Sequence, residues 1–380
     1  MEKNKLILIV AGEASGDLHA ASLARAINAI QPQIKFFGLG GQKLKQEGVD
    51  LYFNLVELAV VGLSEVLKNL KKFKEIFSGL LKEVDRRKPD LAILVDYPGF
   101  NLRLAAELKK RGIPIIYYIS PQVWAWAKAR IKTIKKLVDL MLVVFKFEEE
   151  LYKENSIPVA FVGHPLLDTV KSTLSKEELF KKYSLDVKKF TFALLPGSRE
   201  KEVKLLLPIM LDTAKMIHRQ KPDSQFLILR SQTVKPEIFN QRISHYRLPI
   251  AIVSDMTYAG LAASDFALVA SGTATLETAI LGIPMVIMYK VSFLTWAYLK
   301  IAIKIPYIGL VNVIRREKII DEFIQYDATA QKISSYIMAT INNQQKINRI
   351  KRDLLEVTQA LGEKGASQRA AQLVVNFLNK

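Results

Sequence analysis

Short apolar runs rich in β-branched residues alternate along this chain with longer stretches at helical spacing, and they do so in two successive series. Leu6–Ala11, Leu91–Asp96, Pro114–Ile119, Met141–Phe145 and Val159–Val162 make up the first series. Each run is short, nearly uniform in its hydrophobicity and bounded by turn residues, the signature of a strand buried on both faces. Leu18–Ile30 and Phe100–Arg111 carry the helical pattern between them. Such strands with intervening helices predict a parallel sheet covered on both sides. After Phe161-Val162-Gly163-His164-Pro165 and a charged stretch, Lys171 to Lys189, the alternation restarts. Thr191–Leu195, Gln225–Leu229, Ile250–Val253, Phe266–Val269 and Pro284–Met288 form the second series, and the chain is helical in pattern from Ala328 onward. At 380 residues the chain exceeds the roughly 250–300 at which a single core stops growing. Two α/β units meeting near residue 165 are expected.

Composition removes some chemistries and leaves others open. There is no cysteine, so neither a disulfide framework nor a thiolate nucleophile or ligand exists. The absence also fits a reducing compartment. The apolar run at the N-terminus is too short for a signal peptide and ends in Gly12-Glu13-Ala14-Ser15-Gly16-Asp17, so it reads as the first strand. No window offers ~18 clean apolar residues, and no spanning helix is expected. The net charge of +18 attracts nucleic acid, anionic lipid and phosphorylated ligands alike. Charge alone does not choose among them.

Ligands of open α/β sheets bind beyond the carboxyl ends of the strands, which directs attention to the loops there. Gly12–Asp17 offers two glycines for a tight turn and the free N–H groups of a helix start; Glu13 and Ser15 are polar for a mere turn, and Asp17 doubles as a candidate N-cap. It is neither a GxGxxG fingerprint nor a P-loop. Asp96 follows an apolar strand, where partial burial would make its carboxylate a competent general base; capping the helix that enters at Phe100 is the equal alternative. In Pro196-Gly197-Ser198-Arg199-Glu200, Gly197 allows close backbone approach and Arg199 can fork onto phosphate oxygens. An arginine at a helix start opposes the helix dipole unless an anion is bound, which favours a phosphate role. Ser271-Gly272-Thr273-Ala274-Thr275-Leu276-Glu277 places small residues where N–H groups and hydroxyls can surround a diphosphate. Glu277, one turn in, suits ribose hydroxyls or serves as a capping partner.

Other features carry less. His19, His164, His218 and His245 show no metal-ligand spacing; His19 lies near the first loop, and His218 and His245 read as surface residues. Leu63, Val66, Leu67, Leu70, Phe73, Ile76, Phe77, Leu80 and Leu81 recur at helical spacing, with Lys68, Lys71, Lys72, Lys74 and Lys82 largely off that stripe. The pattern describes a core helix with a basic solvated face or an interfacial membrane helix. Val291 to Val311 is rich in Phe293, Leu294, Trp296, Tyr298, Leu299, Ile301 and Tyr307, while Lys300, Lys304 and Pro306 argue against a bilayer span. Core burial competes there with a surface kept for lipid or for a second copy in a homodimer.

Taken together, Ala11–Asp17, Ser120-Pro121-Gln122-Val123-Trp124-Ala125-Trp126, Phe161–Pro165, Leu195–Arg199 and Ser271–Glu277 occur in an order and spacing that resembles the lipid-A-disaccharide synthase family over nearly the whole chain. The resemblance implies an α/β protein of GT-B fold: two Rossmann-like domains facing across a cleft, at 1–165 and 166–340, with helices over 341–380 crossing back onto the first. It implies transfer of 2,3-diacylglucosamine from UDP-2,3-diacylglucosamine to 2,3-diacylglucosamine 1-phosphate (lipid X), giving the β-1,6-linked disaccharide and UDP. It places the enzyme on the cytoplasmic face of a bacterial inner membrane, held peripherally on an anionic surface, with no nucleic-acid partner. By position, Asp96 matches the base and Arg199 the arginine on the UDP side. Ser271, Gly272 and Thr273 match the diphosphate cradle and Glu277 the ribose contact. Glu13, Ser15, Gly16, Asp17, Gly197 and Ser198 join them as substrate-binding candidates. Asn312 matches the asparagine of a Leu-Pro-Asn segment, here Leu310-Val311-Asn312, with Val311 departing from the pattern. No cofactor is implied, and without the Asp-x-Asp pair of metal-dependent glycosyltransfer no metal is expected. Another GT-B enzyme, such as an undecaprenyl-linked transferase or a UDP-sugar epimerase, is the near rival. A nonenzymatic basic protein binding nucleic acid or lipid is the distant one.

Overall fold

The computed structural model of the chain describes residues 5–59, 70–126, 130–293, 295–297 and 306–380. The chain divides into two compact units, Met1–Leu167 with Leu361–Lys380 and, between these, Asp168–Ala360. In the first unit seven parallel strands form one sheet: β1 Leu6–Ala11, β2 Lys35–Gly40, β3 Asp50–Asn54, β4 Leu91–Val95, β5 Ile115–Tyr118, β6 Leu140–Val143 and β7 Val159–Phe161. Their order is β3-β2-β1-β4-β5-β6-β7. Every residue of β4 and β5 is buried, so neither strand alternates, as two covered faces require. The helix Leu70–Arg87 sends Ile76, Leu80 and Val84 into the core beneath this sheet, with Phe73, Phe77 and Leu81 beside them. Its lysines Lys71, Lys72, Lys74 and Lys82 are exposed. For this part of the amphipathic stretch the apolar stripe is therefore core. Leu63, Val66, Leu67 and Lys68 lie outside the described residues.

The second unit repeats the plan with β8 Phe190–Leu195, β9 Ser224–Arg230, β10 Ile250–Ser254, β11 Phe266–Ala270, β12 Met285–Tyr289 and β13 Glu322–Ile324. The order is β10-β9-β8-β11-β12-β13, again parallel throughout. The helix Glu200–Gln220 covers it, burying Val203, Leu206, Leu207, Met210, Leu211, Ala214 and Ile217 at the three-and-four spacing of one helical face. Each of these larger side chains, Ala214 apart, stabilises the fold by about 1.5–3 kcal/mol on removal from water. In the 291–311 stretch Phe293 is 68% exposed; Leu294, Tyr298, Leu299, Lys300, Ile301 and Lys304 are outside the described residues.

By packing, the second unit runs through Ala360 and the first resumes at Leu361. The helix Gln344–Ala360 stays with the second unit, where Glu356 pairs with Arg315 at 2.6 Å and the Thr358 hydroxyl donates to the Ala279 carbonyl. Only the last helix, Ala366–Leu378, belongs to the first unit, packed on Ala14–Ile30. The Arg369 guanidinium fastens it by donating to the carbonyls of Val162, Glu363 and Lys364 at 2.9, 2.6 and 2.7 Å.

Both sheets reverse their strand order once. In the first the reversal lies between β1 and β4, and in the second between β8 and β11. Chains leaving neighbouring strands there turn to opposite faces of the sheet, which opens a crevice at the carboxyl ends.

Candidate active site

At the reversal in the first unit, β1 runs into Gly12–Asp17 and β4 into Asp96 and Tyr97, with Ala11 paired to Val95 in the sheet. Asp96 and Tyr97 both have a φ of 46°. Left-handed backbone at a residue other than glycine costs of order 1–3 kcal/mol and persists only where neighbours hold it. Here several do. The Asp96 amide donates to Tyr118 O at 3.1 Å. The Asp96 carbonyl accepts from Asn101 Nδ2 at 2.8 Å and from the Tyr117 hydroxyl. The same Asn101 nitrogen also reaches Val95 O at 3.1 Å. The half-buried Asp96 carboxylate is thus carried on a turn whose shape is fixed from behind.

The two loops meet through Gly12. A Cβ placed on Gly12 would lie 2.2 Å from the Tyr97 ring, so only glycine lets that ring close over the first loop. Burial, and after it the charge of Glu13, hold the Tyr97 phenol above its usual range. Glu13 takes the N-cap position of the helix Ala14–Ile30, with Ser15 exposed and Gly16 buried in its first turn.

Asp17 does something else. It is 3% exposed, and its carboxylate accepts from the amides of Gly41, Lys43 and Leu44 at 2.7, 2.9 and 3.2 Å. Rather than capping its own helix, where Glu13 holds the N-cap position, it secures the start of the helix Gln42–Gln46. Replacing Asp17 with Ala leaves buried donors unmet and is expected to lower stability by about 2–4 kcal/mol, from charged hydrogen bonds worth about 1.5–3 kcal/mol and the desolvation of what remains. Chemical denaturation measures it; an unchanged midpoint would contradict the anchoring role. His19 and His164 are also buried, their rings 6.3 Å apart. Burial pushes His19 down to about 4 and His164 to about 3, so both are neutral at physiological pH.

In the second unit β8 runs into Pro196–Arg199 and β11 into Ser271–Thr273. Gly197 has a φ of +119°, and a Cβ there would stand 2.6 Å from Glu202 Oε2, so conformation and space both demand glycine. The Ser198 carbonyl is held by the Thr233 hydroxyl at 2.6 Å. Arg199 is the N-cap residue of the helix Glu200–Gln220, well exposed, with Glu202 3.3 Å from its Nη1. Gly272 caps the helix Thr273–Ile280 in a backbone with φ 148° and open space where a side chain would be. Thr273 is exposed at the first helical position, and the Ser271 hydroxyl donates to Ile308 O at 3.0 Å. Burial raises the Glu277 carboxyl above its usual range, and the hydroxyl of Tyr258, 3.2 Å away, partly offsets this.

Asn312 is likewise bonded to the protein itself. It is fully buried, its Nδ2 donates to Ile320 O and Glu322 Oε1, and its Oδ1 accepts from the amides of Ile319 and Ile320. Every donor and acceptor of the amide is thereby engaged. Glu322 in turn accepts from the amides of Ile308 and Gly309, so Asn312 secures the segment whose Ile308 carbonyl takes the Ser271 hydroxyl. Val311 sits at the second position of the helix Leu310–Arg315, where a backbone amide has no intrahelical partner.

Three groups escaped the sequence reading. Asn101 and Tyr117 fix the Asp96 turn, and Glu148, in the run Glu148-Glu149-Glu150, is buried while its neighbour Glu150 is exposed. The available signal was the spacing of Glu148 and Tyr152, which share a helical face.

A family model described as Lipid-A-disaccharide synthetase matches residues 7–377. A lipid-A-disaccharide synthase of Syntrophus aciditrophicus is 44% identical over 378 residues, covering 99% of each chain. Another, from Coxiella burnetii, is 40% identical over 380 residues, again covering 99% of each. Among solved structures, a UDP-GlcNAc 2-epimerase of Neisseria meningitidis bound to UDP-GlcNAc matches with a TM-score of 0.64 at 13% identity, over 98% of this chain and 99% of that one. A glycosyltransferase of Rickettsia africae matches with a TM-score of 0.59 at 14% identity over the whole of both. The structural likeness shows the GT-B fold, and the sequence relatives show the rest: the chain belongs to the lipid-A-disaccharide synthase family, as a glycosyltransferase of lipid A biosynthesis.

Proposed function

We propose that this enzyme joins UDP-2,3-diacylglucosamine and lipid X in a single inverting displacement. Asp96 takes the proton of the acceptor's 6-hydroxyl as that oxygen bonds to the anomeric carbon. The bond to UDP breaks through an oxocarbenium-like transition state, and its electron pair leaves on the diphosphate. Arg199 and the helix start at Gly272 and Thr273 meet the charge that grows there. Ser271 and the Gly197–Ser198 turn flank the diphosphate, Glu277 binds ribose hydroxyls, and Glu13, Ser15 and Gly16 line the acceptor side.

The observation that supports this reading is the coincidence of both order reversals, β1/β4 and β8/β11, with the two sets of polar loops. The chemistry of each set differs: a carboxylate on a strained turn at one, an arginine and a glycine-capped helix start at the other. The test is UDP release on mixing the two substrates. Release that requires both supports the proposal; release without lipid X, or none, contradicts it. An epimerase on the same fold would turn over its UDP-sugar without an acceptor.

No helix among the described residues is long and apolar enough to cross a membrane. Peripheral attachment to the anionic cytoplasmic face of the inner membrane is proposed from the exposed lysines of the helix Leu70–Arg87. Each lysine near such a surface contributes about 1 kcal/mol. Replacing Lys71, Lys72 and Lys74 together with Glu is expected to weaken co-sedimentation with anionic vesicles by more than about tenfold. Undiminished binding would place the contact elsewhere.

A further inference from the structure

Tyr258 takes part in no step proposed above, yet its side chain bonds to one that does. It stands at the second position of the helix Thr257–Ala262, which follows β10. Its hydroxyl donates to Glu277 Oε1 at 3.2 Å. The sheet brings the two residues together. In the order β10-β9-β8-β11-β12-β13, the connections from β10 to β11 and from β11 to β12 run in the same direction. Right-handed crossovers then place their helices, Thr257–Ala262 and Thr273–Ile280, on one face. Gly260 sets the depth of the first: a Cβ on it would lie 2.4 Å from Leu229 Cδ2, so glycine lets this helix seat closely on β9. The Ser264 hydroxyl braces the helix end by donating to Gly260 O at 2.7 Å.

A glutamate turns about several side-chain bonds, so a fixed donor is needed to decide where its oxygens point. Among the described residues, Tyr258 is the side-chain partner of the Glu277 carboxylate. Burial raises that carboxyl, and the bond from Tyr258 draws it back toward the ionised form. The phenol is itself pushed up, by burial first and then by the charge of Glu277, so it keeps its proton and donates. Thr169 bonds the same phenol. The helices packed on Thr273–Ile280 bring charged groups that are engaged elsewhere: Arg315 with Glu356 at 2.6 Å, and Asp353 with Arg349 at 3.7 Å. Lys351 and Arg352 are exposed, and Lys346 lies over the Tyr336 ring. With one donor at Oε1, the carboxylate keeps enough lone pairs to accept both hydroxyls of a vicinal diol.

We infer that Tyr258 positions the Glu277 carboxylate for the ribose diol and thereby sets the enzyme's preference for ribonucleotides over deoxyribonucleotides. The inference rests on the reading of Glu277 as the ribose contact. Tyr258 acts through Glu277 and touches no nucleotide itself.

Equilibrium binding of UDP to the full-length enzyme, beside its 2′-deoxy and 3′-deoxy analogues, tests this. A hydrogen bond to a charged group is worth about tenfold or more in affinity. The parent is therefore expected to prefer UDP by at least about tenfold over the analogue that lacks the bonded hydroxyl. Tyr258→Phe removes one oxygen and keeps the ring, and the preference is expected to fall to about threefold or less. A ratio of affinities does not depend on how much of the protein is folded, so lost packing alone leaves it unmoved. A second signature lies in pH. Without its donor the Glu277 carboxyl rises further and takes up its proton at higher pH. The acid-side loss of UDP affinity then moves up by about one pH unit. Glu277→Gln removes this component and leaves only the titration of UDP. Where Glu277→Gln lowers the preference but Tyr258→Phe keeps the parent's preference, or the parent's acid limb, the inference is overturned. An unchanged preference in Glu277→Gln ends the ribose reading itself, and the inference with it.

Discussion

Asp96→Asn is expected to lower kcat by roughly 10²–10⁴, the range that a positioned general base supplies. The substitution is chosen to spare the turn. Asparagine tolerates left-handed backbone better than most residues. Bonds that hold the turn meet the Asp96 main chain: Tyr118 O, Asn101 Nδ2 and the Tyr117 hydroxyl all reach backbone atoms. Circular dichroism and thermal midpoint should therefore match the parent while turnover falls. The loss should appear in kcat with little change in KM for the donor, because the proton moves only as the transition state forms. Turnover within about threefold of the parent would remove Asp96 as the base.

Arg199→Ala is expected to cost on the order of 10²-fold or more in kcat/KM, chiefly through the UDP moiety. Little of that loss would be structural. The side chain is 60% exposed and its ion pair with Glu202 lies on the surface, where such pairs contribute at most about 1 kcal/mol. Lysine should not restore activity, since a single ammonium does not reproduce the planar fork that spans two phosphate oxygens. Unchanged UDP affinity in the alanine variant would end the phosphate assignment.

These predictions depend on features that the sequence disclosed to different degrees. The central strands were legible because they are buried on both faces: Leu6–Ala11, Leu91–Val95 and Phe266–Ala270 are continuous apolar runs with turn residues at their ends. β2 and β3 were not. Lys35–Gly40 includes two glycines, and Asp50–Asn54 mixes charged and apolar residues at the sheet's edge, so neither stands out from loop. β13 is three residues long, too short for any periodicity to register. The loops were legible as turns at the carboxyl ends of central strands, because that follows from strand direction and glycine content. What each polar side chain does there was less so. Asp17 and Asn312 have the composition of substrate contacts, yet both hold backbone amides together. The partners that decide this lie 24 residues or more away for Asp17, and 7 to 10 residues away for Asn312, across a turn. Glu148 was hidden by its neighbours, since a run of three glutamates reads as a solvated face until packing buries Glu148 and Glu149 and leaves Glu150 exposed.

The strained pair at Asp96 and Tyr97 was equally invisible in sequence. Nothing in Asp-Tyr-Pro-Gly announces two successive left-handed residues, and proline after Tyr97 restricts only that residue's own backbone. The cost of the turn is met by Asn101 and Tyr117, residues that a pattern search assigns to an ordinary helix and an ordinary strand. Strain held in this way at the tip of a central strand is consistent with the proposal that Asp96 is a positioned base.

A crystal structure with UDP bound tests the central claim most directly. The account predicts the diphosphate against the amides of Gly272 and Thr273 with Arg199 in contact, and the ribose hydroxyls at Glu277. A nucleotide seated instead beyond β1 and β4, at Glu13 and Asp96, would contradict it.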